Sequence, residues 1–259
     1  MRQFARASVV PVGLDVRTAF KRQGSLLMKI VGFAAAVACM AWPSMTSAGC
    51  VWSDIVQPAV RVAAVKPEAP RAYFVSDAAL KPGCPDVNAR CKLASYVVPG
   101  NVVLVAKAQG PFTCAGFQGP RGIGTIGWLP TAALALLPPA AQRPGDWSGH
   151  WSAPEQDIVI TTRKDGMLSV KGNATWGMGD PGRVKIGGVH TGEMSGKARP
   201  LAGVLSFTDN EGVTLPYTKG DEYLCRVRMY RRGPYLLARD NNNCGGMNVT
   251  FSGFYARKK

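Results

Sequence analysis

Residues 168–176 alternate strictly: Leu168, Val170, Gly172, Ala174 and Trp176 share one side of an extended chain, and Ser169, Lys171, Asn173 and Thr175 share the other. A period of two with one apolar side is the signature of a half-buried strand. The same pattern recurs with Cys225, Val227 and Met229 against Arg226 and Arg228, and with Val249, Phe251, Gly253 and Tyr255 against Asn248, Thr250 and Ser252. Turn chemistry falls between such runs at Lys164-Asp165-Gly166, at Asp209-Asn210-Glu211-Gly212 and at Arg232-Gly233-Pro234. No long stretch after residue 50 carries helical periodicity, so the chain reads as all-β, with about eight strands of a larger antiparallel up-and-down barrel or sandwich over residues 146–259.

A second, smaller unit precedes it. Ala72 to Ser76, Ser95 to Val98, Val102 to Val105, Phe112 to Phe117 and Thr125 to Leu129 are candidate strands, punctuated by Pro99-Gly100-Asn101 and Gly110-Pro111. Five short strands in so few residues make a small barrel, placed at 71–137. Residues 138–145, rich in proline, read as a linker, because proline is stiff and excluded from sheet interiors. Residues 49–70, with Pro58, Pro67 and Pro70, read as an extended lead-in.

Two resemblances follow. Arg71-Ala72-Tyr73-Phe74, Pro99-Gly100 and the closing Gly127-Trp128-Leu129-Pro130 with Leu134 resemble bacterial SH3-like domains, which implies a shallow aromatic groove for extended ligands. The insertion carrying Cys84 and Cys91 departs from a minimal version of that fold. Trp147-Ser-Gly-His-Trp151 looks like the Gly-x-Trp opening of lipocalin-like barrels, which implies a barrel able to enclose a ligand.

Residues 1–48 read as an export signal, with Lys29 before the apolar run Ile30 to Trp42 and small residues Thr46-Ser47-Ala48 at its end; Met28 is the expected translation start. The whole chain holds 31 Lys and Arg against 16 Asp and Glu. Removing residues 1–48 takes away six basic residues and one acidic one, leaving a basic mature chain of about +10. Six cysteines then remain, Cys50, Cys84, Cys91, Cys114, Cys225 and Cys244, and an even count in an exported chain implies disulfides. The expected pairs are Cys225 with Cys244 across a hairpin, Cys91 with Cys114 in the smaller unit, and Cys50 with Cys84. Ser47-Ala48-Gly49-Cys50 is similar to a lipoprotein cleavage site without its usual leucine, so membrane association is expected only if Cys50 is lipidated.

Little in the sequence points to catalysis. Gly122-Ile-Gly124-Thr-Ile-Gly127 matches a dinucleotide fingerprint in letters, yet Trp128-Leu129-Pro130 follows where the fingerprint needs a helix, and a glycine-rich hairpin is the better reading. His150 and His190 are the only histidines; His190 lies three residues before Glu193, the one local imidazole and carboxylate pairing. Cysteines committed to disulfides leave no thiolate for a cysteine hydrolase. No metal or other cofactor is expected.

The expected function is therefore that of an exported, non-enzymatic envelope protein, periplasmic or secreted, engaging a cell-wall component or an envelope protein through the SH3-like unit. Tyr73, Phe74 and Trp128 are the candidate groove aromatics. Arg226 and Arg228, with Arg231, Arg232, Arg239 and the terminal Arg257-Lys258-Lys259, are a candidate polyanion face. Nucleic acid is not expected in an exported setting. Alternatives are a small-ligand carrier using the larger barrel, favoured by an interior cavity, and an inhibitor of a cell-wall hydrolase such as lysozyme, against which the basic charge counts.

Overall fold

The computed structural model describes residues 49–119, 124–139 and 142–258. Residues 1–48, read above as an export signal, Gly122 of the glycine pattern and Lys259 lie outside the described residues. The described chain builds two antiparallel sheets. The first holds β1 (Arg61–Val65), β2 (Ala72–Val75), β3 (Lys92–Val97), β4 (Val102–Gln109), β5 (Phe112–Gln118), β6 (Gly124–Pro130) and β7 (Leu134–Leu136), in the order β3-β2-β6-β5-β4-β1-β7. The second holds β8 (Gly149–Ala153), β9 (Gln156–Thr162), β10 (Leu168–Trp176), β11 (His190–Ala198), β12 (Val204–Asn210), β13 (Val213–Leu215), β14 (Cys225–Arg232), β15 (Tyr235–Asp240) and β16 (Gly253–Arg257). Its order is β11-β10-β9-β8-β16-β15-β14-β12-β13.

The second sheet curls into a nearly closed barrel. Side chains join the seam where backbone pairing stops: Asp209 Oδ2 accepts from Ser195 N at 2.6 Å, and Thr214 Oγ1 accepts from Lys197 N at 3.0 Å. The interior is crowded. Trp151, Ile158, Val170, Phe207, Val227, Leu236 and Tyr255 are among the buried side chains that fill it. Glycines on β10 and β11 make room for them: a Cβ on Gly196 would lie 2.5 Å from the Phe207 ring, and one on Gly172 would lie 2.6 Å from Met194. Two of the turns form with left-handed backbone where the sequence placed them, at Glu211-Gly212 (φ 50° and 87°) and at Gly233 (φ 54°).

One strand is shorter than its alternation. Burial alternates through Val249, Phe251 and Gly253, yet pairing begins only at Gly253. The Asp240 carboxylate accepts from Phe251 N and from the hydroxyls of Thr250 and Ser252, replacing the ladder bonds that this stretch would have made.

The two sheets share a core. Ile55, Leu104, Phe112, Cys114 and Trp128 pack with Tyr230, Tyr235, Leu237 and Phe254 of the barrel, while Phe74, Val97, Val103, Val105, Ala115 and Leu129 form a separate core on the other side of the first sheet. Hence Val102-Val-Leu-Val105 and Tyr235-Leu-Leu-Ala238 are continuous apolar runs: strands covered on both faces lose the polar half of the alternation. Hydrogen bonds line the junction. The Tyr235 hydroxyl, its pKa pushed up to about 12 by burial, donates to Val102 O at 2.7 Å. Arg232 donates from Nε to Val60 O at 3.0 Å and from Nη2 to Pro58 O at 2.5 Å.

Residues 49–70, read as a lead-in, supply parts of this junction. The short helix α1 (Trp52–Ile55) buries Ile55 completely, and β1 inserts between β4 and β7. Pro58 precedes β1, and Pro67 and Pro70 follow it, so none interrupts the ladder. Replacing Arg232 with methionine keeps the alkyl stem and removes both donors to the 58–60 segment, along with the Nη1 bond to Arg231 O. We expect a loss of about 2 kcal/mol, the scale for hydrogen bonds to a charged group, read from the urea midpoint.

The cysteine pairing corrects two of the three expected bridges. Cys225–Cys244 forms as expected, with Cα atoms 4.5 Å apart, but the others are Cys50–Cys114 and Cys84–Cys91. Cys84 and Cys91 close a tight loop after β2 whose turns are fixed locally by the side chains of Asp77, Asp86 and Asn88. Cys114 is thereby left for Cys50, which the docking of α1 and β1 carries onto β5. The Cys50 sulfur in this bond is the atom that a lipid thioether would need.

Candidate functional site

Of the three aromatics read as a groove, two are core. Phe74 is fully buried among Val97, Val103 and Leu129, and Trp128 is 1% exposed in the core shared by the sheets. Both rings are enclosed by these cores, so neither reaches a ligand. Tyr73, one residue from Phe74, points the opposite way, as period two requires.

Tyr73 lies directly opposite Tyr96 on β3, with ring centroids 5.5 Å apart. Lys92 Nζ sits 3.5 Å from the centre of the Tyr73 ring, and the Arg71 guanidinium carbon lies 4.6 Å from that of Tyr96. The neighbouring Arg71 guanidinium lowers the Tyr73 pKa, and the tyrosine raises that of the arginine. The result is an exposed ladder of two cations and two phenol rings. It runs along β3, an edge strand paired only with β2. The sequence reading found Tyr73 but missed Tyr96 and Lys92. Arg71 and Tyr73 share a face by their spacing; their partners come from beyond the Cys84–Cys91 loop, where register is not legible.

The arginines read as one polyanion face are dispersed. Arg226 donates to the carbonyls of Gly220 and Asp221, Arg228 lies 3.9 Å from the centre of the Tyr217 ring, and Arg239 donates to Gln57 Oε1. Arg232 enters the junction between the sheets. Arg231, of opposite parity on β14, turns onto Trp151, which Arg257 also covers, at 4.5 and 4.8 Å. Burial lowers the Arg231 pKa to about 10, with repulsion from Arg257 adding to it. Arg257 donates to Asp146 O at 2.8 Å, so this stack ties residues near the start of the barrel to its last strand.

The histidines separate as well. His150 bonds Asp157 at 2.6 Å on neighbouring strands. His190 bonds Met247 O and packs on Trp176, whose ring Arg183 also covers, at 4.0 Å. Gly124 and Gly127 lie within β6, which runs on through Trp128 to Pro130 and is followed by a single 3-10 turn, Thr131–Ala133, rather than by the α-helix the fingerprint needs. Among the described residues no three His, Cys, Asp or Glu side chains are grouped to hold a metal ion, and no helix is long and apolar enough to cross a membrane.

The fold and its exposed features define a disulfide-bonded, all-β protein whose most developed surface site is the cation and tyrosine ladder of the first sheet. Comparison with protein-family models, with curated proteins and with solved structures finds no match. The three disulfides are compatible with an extracellular or periplasmic location.

Proposed function

We propose that this is an exported, non-enzymatic binding protein of the bacterial envelope. In this reading the first sheet is an SH3-like module, and its ligand is an extended, anionic cell-wall component such as a carboxylate-bearing wall peptide. The observation that carries it is the ladder of Arg71, Tyr96, Tyr73 and Lys92 on an edge strand. Phenol rings offer contact area at low entropic cost, the two cations favour carboxylates, and the outer edge of β3, which pairs with no further strand among the described residues, suits pairing with an extended chain. The filled interior of the larger barrel favours this reading over that of a carrier.

Cosedimentation with purified, insoluble peptidoglycan tests it. The wild-type protein is expected to bind and to release no soluble fragments. The double variant Tyr73→Ala/Lys92→Ala should lose at least tenfold in affinity with a drop of only about 1 kcal/mol in stability, the scale of one cross-strand aromatic pair. Equal binding by the variant would remove the ladder from the site, and release of fragments would make the protein a hydrolase.

A further inference from the structure

The barrel has two unlike ends. Antiparallel connectivity puts residues 154–155, 177–193, 209–226 and 241–249 around one mouth, and residues 142–148, 163–167, 199–203, 231–235 and 257–258 around the other end. The sequence of the first set contains seven acidic residues and four basic ones; that of the second contains eight basic residues and two acidic ones. Even with Arg231 and Arg232 turned inward, onto Trp151 and into the junction between the sheets, basic residues outnumber acidic ones at the opposite end, so in a chain whose mature charge is about +10 the mouth is locally acidic and the opposite end basic.

The mouth also concentrates exposed apolar surface. Met178 (53% exposed), Val184 (48%), Ile186 (80%), Tyr223 (76%) and Met247 (73%) all sit on its loops. They are held by specific contacts. Asp180 caps the single turn α2 (Pro181–Lys185) by accepting from Gly182 N, and Glu155 accepts from the backbone N–H groups of Gly177 and Gly179. His190 fixes the Met247 loop, and Cys225–Cys244 fastens the same loop to β14. At one side of this mouth, between the start of β11, the β12–β13 turn and the segments joined by Cys225–Cys244, lies an open hollow of about 470 Å³ whose lining includes Glu193, Asp209, Glu211 and Tyr223 and no basic residue. Tyr223 lines this hollow, and Met178, Val184, Ile186 and Met247 stand on other braced loops of the same end; together they match the anatomy of a protein interface: apolar anchors, a polar rim and little ordering on binding.

We propose that this mouth is a docking surface for a folded protein with a basic face, separate from the ladder on the first sheet. Charge selects the occupant. An anionic partner, or an anionic lipid surface, is drawn to the opposite end of the barrel, whereas a basic partner is repelled there and steered to the mouth. A lysine or arginine of that partner fits the carboxylate-lined cavity, while Ile186 and Met247 supply the apolar contact. The overall basic charge, which counts against a partner such as lysozyme when only net charge is considered, does not count against it once charge is resolved by position.

Binding of the disulfide-bonded protein to hen lysozyme at low ionic strength, with acidic α-lactalbumin of the same fold as the control, tests this. Lysozyme is expected to bind and α-lactalbumin not to bind. Glu193→Lys/Glu211→Lys should weaken lysozyme binding at least tenfold, and Ile186→Ser/Met247→Ser severalfold, while Glu68→Lys/Asp86→Lys, which changes net charge equally away from the mouth, should leave it unchanged. The ladder variant Tyr73→Ala/Lys92→Ala should also bind lysozyme normally, which separates this surface from the wall-binding site. The proposal is overturned by absence of lysozyme binding, by equal loss in the distant charge variant, by binding that the mouth variants leave intact, or by association through the mouth with phosphatidylglycerol vesicles instead of lysozyme.

Discussion

Replacing Trp128 with alanine is expected to destabilise the protein by about 3–5 kcal/mol, the range for removing a large aromatic side chain from a packed core. Trp128 lies in the one cluster to which both sheets contribute, with Leu104, Phe112 and Cys114 on its own side and Tyr230, Tyr235 and Phe254 of the barrel in the same cluster. A cavity there weakens the first sheet and its seat on the barrel together, so circular dichroism and intrinsic fluorescence should report one shared, lowered transition. Trp128→Phe sharpens the test. The indole N–H is buried and finds no hydrogen-bond partner among the described residues, so tryptophan carries a desolvation cost of about 1–3 kcal/mol that phenylalanine does not. Part of the lost packing is thereby offset, and the phenylalanine variant should fall within about 1.5 kcal/mol of the wild type. Lost ligand binding in Trp128→Ala with stability unchanged would return this residue to the surface and contradict the packing described above.

The same residue shows where reading a sequence reaches its limit. Alternation and turn chemistry announce a strand wherever one face meets water, which is why β10 and β14 and the turns at Asp165-Gly166 and Gly233 stand where their residues place them. Strands covered on both faces carry no such contrast. Phe74 and Trp128 therefore read as core more readily than as groove without being settled, and packing decides: Phe74 lies in the first sheet's own core, Trp128 in the core made by the arrival of the barrel. Tyr73 was legible as a candidate aromatic, but its pairing with Tyr96 spans the disulfide-closed loop between β2 and β3, so its register is not encoded in local residue types. The dispersal of the arginines has a related cause. Arg226 and Arg228 share a face by parity, yet where each guanidinium ends is set by loops distant in sequence, and Arg231 takes the opposite face from the start. The polarity of the two barrel ends could have been found from sequence alone, had the connecting segments been sorted by the end on which alternate turns fall.

Removing the Cys50–Cys114 bridge as Cys50→Ala/Cys114→Ala should cost about 4 kcal/mol, the most of the three disulfides. The chain-entropy argument makes the stabilisation grow with the length of loop closed in the unfolded chain. The separations are 64 residues for Cys50–Cys114, 19 for Cys225–Cys244 and 7 for Cys84–Cys91. On that scale the second should cost about 3 kcal/mol and the third about 2 kcal/mol. Structure adds to the ranking, because the Cys50–Cys114 bond fastens the segment bearing α1 and β1 to β5, whereas Cys84–Cys91, buried in the same core, closes only a local loop. Severing it frees the segment from which Val60 and Pro58 accept from Arg232, so the double variant should also flatten the effect of Arg232→Met. Urea denaturation of the three double-alanine variants, with and without Arg232→Met, reads both outcomes: the order of the midpoints, and a coupling energy between Arg232 and the Cys50–Cys114 bridge that is absent for the Cys84–Cys91 bridge. A reversed order, or additivity of Arg232→Met with the loss of Cys50–Cys114, would show that the N-terminal segment is held by its packing alone and that the bridge is dispensable to the junction.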